Sequence, residues 1–271
     1  MSDYGIPDVM LAYGPLPDHV VDIRLPTGPH ADPAVSGPRP LVVIVHGGFW
    51  KAEWDRSHTG PQGEGLTAAG YVVATVEYRR VGMPGGGWPG TLDDVALMAD
   101  AVPGLVAEAL PGRVDPSRTV LVGHSAGGHL ALWAASRHLL PEGSRWHRST
   151  ALPVSVVSLA GVIDLALAHR LGLGDGAVDA LLDGQPADHP ERYAEADPAR
   201  LVPTGVPTVL IHGVDDEPVP LAVSLAYASA ATAAGEAPTV HVLRDTDHMA
   251  LVDPTSTAWP TLLATLEKLT T

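Results

Sequence analysis

A serine flanked by glycines stands in Gly123-His124-Ser125-Ala126-Gly127-Gly128, directly after the apolar run RTVLVG and at the opening of the helical stretch AGGHLALWAASRHLL. A strand-to-helix turn of the G-x-S-x-G type lifts the serine hydroxyl above a sheet, in backbone geometry that only small neighbours tolerate. The amino terminus of the following helix then aims its dipole and free N–H groups at charge developing on a substrate. Ser125 is therefore the candidate nucleophile. A second glycine pair lies in His46-Gly47-Gly48-Phe49-Trp50, after PLVVIV. Two glycines at a strand's carboxyl end let the backbone turn its amides into the space where a tetrahedral oxyanion needs donors. The amides of Gly48, Phe49 and Ala126 form the candidate oxyanion hole, and Phe49 is the only phenylalanine in the chain.

A serine needs a base, and the chain has 13 histidines. A nucleophile-elbow enzyme takes its acid from the loop after a later strand and its histidine from the loop after the last one. His248, in Asp245-Thr246-Asp247-His248-Met249, follows the final strand-like run TVHVLR and is the histidine in that position. His124 adjoins the serine, but neighbours on such a turn point apart, so a structural role is expected for it. The acid belongs after VPTVLIHG, where Asp215, Asp216 and Glu217 all compete to accept the histidine Nδ1–H and fix its tautomer. Trp50, Trp54 and Trp88 are candidates to line the leaving-group side. No metal is expected: H-E-x-x-H is missing, and His124 and His129, five apart, fall on different faces of a helix. No Walker-type loop or strand-bound G-x-G-x-x-G points to a nucleotide, so no cofactor is expected either.

These loops must be held by strands and helices that alternate. Apolar, strand-length runs occupy residues 41–45, 71–76, 119–122, 154–159, 206–211 and 239–243, nearly continuous as in strands buried on both faces of a parallel sheet. Helical stretches lie between or after them at residues 60–69, 91–110, 126–140, 219–234 and 254–268. The alternation predicts an α/β fold. VMLAYG and VVDIRLP, joined by PLPDH, predict an antiparallel hairpin on the sheet edge and bring the total to eight strands. Residues 164–203 break the rhythm with several Gly and Pro and many charges, as expected of an excursion over the sheet's carboxyl edge that could act as a cap or lid.

The chain's 271 residues are 45% hydrophobic, enough for one sizeable core and against disorder throughout. A formal charge of −15, from 31 acidic against 16 basic residues, argues against a nucleic-acid partner. With no cysteine there is no disulfide and no thiol chemistry. The amino terminus has no basic region leading into an apolar stretch, and no apolar run reaches the ~18 residues a membrane span requires. A cytoplasmic enzyme with a small-molecule ester or amide substrate, and no membrane partner, is the expectation.

With these residues in place, the sequence resembles the α/β-hydrolase superfamily over essentially its whole length. Within it the chain looks like the esterase/lipase group related to hormone-sensitive lipase and, more closely, to kynurenine formamidase. HGGFW is similar to the formamidase H-G-G-x-W oxyanion motif and GHSAGGHLALW to its nucleophile elbow. Glu77-Tyr78-Arg79 with Trp88-Pro89-Gly90-Thr91-Leu92-Asp93-Asp94 is similar to a structural Y-R…P-x-x-x-D-D stretch. The family spacing D-x-x-V-P falls on Asp216 with Val219-Pro220, and on that resemblance Asp216 is the acid. Hormone-sensitive-lipase relatives usually carry a third glycine where this chain has Phe49, which implies an aromatic wall on the acyl pocket and small acyl groups. The resemblance implies a serine hydrolase of a carboxylic ester, with an arylformamidase acting on an N-formylkynurenine-like amide as the alternative. A catalytically silent hydrolase-like binding protein is the further alternative.

Overall fold

β-branched residues dominate the central strands, and their alternate side chains bury on opposite faces of one sheet. The computed structural model describes residues 5–32 and 37–271. Its strands are β1 (Val9–Ala12), β2 (Val20–Arg24), β3 (Arg39–Val45), β4 (Val72–Val76), β5 (Val114–His124), β6 (Val154–Leu159), β7 (Thr208–Gly213) and β8 (Thr239–Leu243). They form one sheet in the order β1-β2-β4-β3-β5-β6-β7-β8. From β4 through β8 neighbours run parallel, while β1 and β2 add the antiparallel edge that the hairpin signal predicts. This is the α/β-hydrolase architecture, an eight-stranded and mostly parallel sheet.

The helices are α1 (Gly60–Ala68), α2 (Gly90–Ala109), α3 (Ala126–Ser136), α4 (Leu165–Arg170), α5 (Leu173–Leu182), α6 (Pro190–Ala196), α7 (Ala222–Ala233) and α8 (Trp259–Thr270). They cover both faces of the sheet. Leu41, Val43 and Val45 belong to the core that also takes in residues of α2, α3 and α7, whereas Val42 and Ile44 belong to the one that takes in Leu66 of α1 and Trp259, Leu262 and Leu266 of α8. The period-two alternation within β3 thus builds both cores.

Where boundaries differ from the sequence expectation, prolines and side-chain caps explain the shift. α7 starts at Ala222 rather than 219, because Val219 and its flanking prolines belong to the loop that turns Asp216 inward. α8 starts at Trp259 rather than 254, after a turn in which Asp253 accepts from the Thr255 amide. Residues 164–203 carry three short helices where the sequence suggests one amphipathic piece near 178–182. Val178, Leu181, Leu182 and Tyr193 of this excursion are buried in the main core. Asp197 fastens its base, accepting from the Leu165 and Ala166 amides at 3.0 and 3.2 Å. Asp197 is buried, and burial pushes its carboxyl up to about 6 despite those amide bonds.

Candidate active site

β5 ends at His124 and α3 begins at Ala126, so Ser125 is the single residue on which the chain reverses. Its φ of 55° and ψ of −121° lie outside the regions a side chain ordinarily occupies, which costs of order 1–3 kcal/mol. Neighbouring backbone holds it there: Ser125 N donates to the Leu159 carbonyl at 2.8 Å, and Val162 N donates back to the Ser125 carbonyl at 3.1 Å. The elbow's glycines are sterically required. A Cβ on Gly127 would fall 1.9 Å from the Val45 carbonyl oxygen, and one on Gly123 would fall 2.1 Å from the Gly127 carbonyl. α3 can therefore start against β3 only without side chains at these positions.

The candidate oxyanion loop leaves β3 beside this elbow. Gly48 has φ of 107°, and the next two residues, Phe49 and Trp50, also have positive φ, at 49° and 56°. Lys51 N closes the turn on the Gly48 carbonyl at 2.9 Å. Among the described residues the Phe49 and Ala126 amides donate to no protein acceptor, as expected for donors reserved for a ligand or for the open first turn of a helix. His46 braces the loop from below: its Nε2–H donates to Glu77 Oε1 at 2.9 Å, and its ring stacks on Tyr78 at 4.3 Å. Burial alone would raise the Glu77 carboxyl, but the hydrogen bond and charge of His46, with Arg80, hold it below the ordinary range.

Of the three carboxylates after β7, Asp216 alone is turned inward; Asp215 and Glu217 are exposed. His248 Nδ1–H donates to Asp216 Oδ2 at 2.7 Å, and the Val219 amide donates to Oδ1 at 2.8 Å. Buried His212 stands behind, its Nε2–H donating to the Val219 carbonyl at 2.8 Å and lying 3.4 Å from Asp216 Oδ2. Burial would raise the Asp216 carboxyl, yet the hydrogen bonds from His212 and His248 and the charge of His248 hold it well below the ordinary range. The carboxylate is thus kept ionised, and with Nδ1 committed to it, Nε2 is left as the basic nitrogen of the ring. His124 serves this frame: its Nε2–H donates to the His248 carbonyl at 3.0 Å. Burial, with the nearby charge of His248, keeps the His124 imidazole well below its usual range and so neutral.

A cavity of about 220 Å³ collects these groups, lined by Gly48, Phe49, Trp54, His58, His124, Ser125, Pro218, His248 and Met249. The expected nucleophile, base and two of the three oxyanion residues meet there; Ala126 sits just beneath, as the first residue of α3. Two substrate-pocket expectations are corrected. Trp50 is fully buried, because the left-handed turn at Phe49 and Trp50 swings its indole under the loop against His129, with ring centroids 5.2 Å apart. Trp88 lies away from the cavity, edge-on to Trp146 at 4.9 Å and beneath the Arg192 guanidinium. Trp54, which is 51% exposed, is the tryptophan that lines the opening. His58 joins the wall without a sequence signal of its own; only the Asp55-x-Ser57 cap that positions it is readable there. No residue of 164–203 is among those that line the cavity; the excursion reaches the site through Gly174, which lies against the Phe49 ring. Among the described residues no group of three or more His, Cys, Asp or Glu side chains could hold a metal.

A family model described as BD-FAE matches residues 22–230. The chain belongs to the BD-FAE family. Among curated relatives, this BD-FAE chain is 26% identical over 239 residues to a probable isoprenylcysteine alpha-carbonyl methylesterase of Oryza sativa subsp. japonica, covering 82% of this chain and 53% of that one. It is also 26% identical over 202 residues to esterase LipQ of Mycobacterium tuberculosis, covering 73% of this chain and 47% of the relative. The chain thus spans about half the length of these relatives. Among solved structures, esterase B from Lactobacillus rhamnosis superposes with a TM-score of 0.78 at 18% identity, over 99% of this chain and 89% of that one. A truncated carbohydrate esterase from gut microbiota gives 0.76 at 21% identity, over 98% and 97%. At such identities the structures show the fold alone, an α/β-hydrolase fold. The α/β-hydrolase fold that the motifs suggest is thereby shown; the likeness to kynurenine formamidase is carried by none of these relatives. No described helix is long and apolar enough to cross a membrane.

Proposed function

We propose that this BD-FAE protein is a serine carboxylesterase acting on esters of small acyl groups. The observation that carries the reading is the 2.7 Å bond between His248 Nδ1 and Asp216 Oδ2 at the edge of the cavity that holds Ser125 on its strained elbow. Ser125 Oγ attacks the ester carbonyl as His248 Nε2 takes its proton, and Asp216 stabilises the imidazolium that forms. The amides of Gly48, Phe49 and Ala126 receive the oxyanion. Collapse of the tetrahedral intermediate expels the alcohol, which His248 protonates, and water repeats the steps on the acyl-enzyme. The esterase names among the curated relatives support this chemistry. A volume of about 220 Å³ with the Phe49 ring in its wall is at the small end for ligand cavities and supports a short acyl chain.

The test is turnover of p-nitrophenyl acetate by wild type and Ser125→Ala, with far-UV circular dichroism to show that the fold persists. Loss of about 10⁴-fold or more in kcat is expected; unchanged turnover in the folded variant would contradict the reading. Running a formanilide beside the acetate ester separates an arylformamidase from a carboxylesterase, and the ester is expected to have the higher kcat/KM.

A further inference from the structure

The Phe49 ring forms part of the cavity wall, and its other side rests on backbone more than a hundred residues away. Gly174, Asp175 and Gly176 have φ of 60°, 56° and 77°, and Gly172 has φ of 64°. They make a left-handed turn, a shape that glycine permits at little steric cost, in the first residues of α5, which is regular right-handed helix only after Gly176. A Cβ built on Gly174 would lie 2.6 Å from Phe49 Cδ1, so the bare backbone of this residue touches the ring. The Gly174 carbonyl also accepts a hydrogen bond from Lys51 Nζ at 2.9 Å. Lys51 is one of two lysines in the chain and closes the oxyanion-loop turn through its own amide. The side chain two residues after Phe49 therefore ties the turn against the Phe49 ring. The turn has a firm base: Ala177 and Val178 are buried, and Asp179 accepts from His169 Nδ1 at 2.6 Å and from the Tyr193 hydroxyl at 3.0 Å.

We propose that this left-handed turn sets the acyl-chain length the enzyme accepts, with Gly174 and Lys51 acting as specificity-determining positioning residues through Phe49; the proposal rests on the esterase reading. Neither residue lines the cavity. Each acts by fixing where the ring stands, Gly174 by giving it a seat and Lys51 by clamping that seat to the loop. A wall held in place refuses the methylenes that a yielding wall would admit, and each methylene refused or admitted in an apolar pocket changes kcat/KM by roughly 10- to 200-fold. The amide of Phe49 is unaffected by a modest swing of its side chain, so the effect falls on chain-length preference rather than on the oxyanion.

The experiment is the ratio of kcat/KM for p-nitrophenyl octanoate to that for the acetate, in wild type, Lys51→Met and Gly174→Ala. Lys51→Met keeps the stem and removes the donor. It is expected to leave acetate turnover within about threefold and to raise the octanoate ratio at least about fivefold, short of a full methylene's worth because the wall loosens without vanishing. Gly174→Ala drives a methyl group into the ring's seat and is expected to lower the ratio by pushing the ring into the cavity. The single phenylalanine allows a second readout: 4-fluorophenylalanine gives one ¹⁹F resonance, which is expected to move or broaden in Lys51→Met whether or not the protein turns over an ester. Ratios unchanged in both variants, a uniform loss at every chain length, or an unmoved fluorine resonance would overturn the proposal. Wild-type protein inactive on every ester would instead overturn the esterase reading.

Discussion

Replacing Asp216 by Asn keeps the shape of the side chain and removes its charge. The carboxamide oxygen of the Asp216→Asn variant can still accept the Val219 amide that now meets Asp216 Oδ1 at 2.8 Å. Its NH₂ group then faces His248 Nδ1, where a carboxylate oxygen now sits at 2.7 Å. A donor opposite Nδ1 drives the ring into the tautomer that carries its proton on Nε2, and a protonated Nε2 cannot take the Ser125 proton. The lost charge matters as well. Across 2.7 Å, with an effective dielectric constant of about 20, a carboxylate and an imidazolium attract by about 6 kcal/mol. At ~1.36 kcal/mol per tenfold in rate that is about four decades, and because the amide retains a dipole the expected loss in kcat is roughly 10³- to 10⁴-fold. The assay is steady-state hydrolysis of p-nitrophenyl acetate, with KM expected to change little because the substrate does not touch Asp216. The exposed neighbours are controls: Asp215→Asn and Glu217→Gln should stay within about twofold of wild type, as surface changes usually do. A folded Asp216→Asn enzyme within tenfold of wild type would refute the reasoning.

Trp54→Ala should change KM or chain-length preference several-fold in the same assay, because Trp54 lines the cavity mouth. Trp88→Ala should leave kcat/KM within about twofold while lowering stability by roughly 2 kcal/mol, since its half-buried indole packs on Trp146; urea denaturation measures the latter. Asp197 adds a pH dependence. Its folded-state carboxyl is raised to about 6 from 3.8, so the folded protein holds the extra proton and this residue's contribution falls as pH rises through that window. Relative to Asp197→Asn, wild type should lose roughly 2–3 kcal/mol between pH 4 and pH 7, at ~1.36 kcal/mol for each tenfold difference in proton affinity between the folded and unfolded chain. A difference in urea midpoint that does not vary with pH would contradict this.

The elements of this fold are legible in the sequence where local chemistry decides them. The central strands announce themselves as β-branched runs, and the elbow as glycines around a serine between a strand and a helix. His248 follows from chain order alone. The choice of Asp216 over Asp215 and Glu217 depends on which way one loop turns, and residue types carry no record of that; the D-x-x-V-P resemblance selects the carboxylate that the structure turns inward. The tryptophans mislead for a related reason. Two successive left-handed residues, neither of them glycine, reverse the direction of the chain at Phe49 and Trp50, so an aromatic next to the oxyanion loop in sequence ends in the core while Trp54 reaches the opening. The excursion hides its helices because they are short and its glycines serve a left-handed turn.

The central claim is that Ser125 is a nucleophile activated by His248. It is tested most directly by treating wild type, Ser125→Ala and His248→Ala with a fluorophosphonate and locating the adduct by peptide mass spectrometry. A single adduct is expected on Ser125 in wild type, none in Ser125→Ala, and labelling slowed by orders of magnitude in His248→Ala. An unlabelled wild-type protein, or an adduct that persists at full rate without His248, would contradict it.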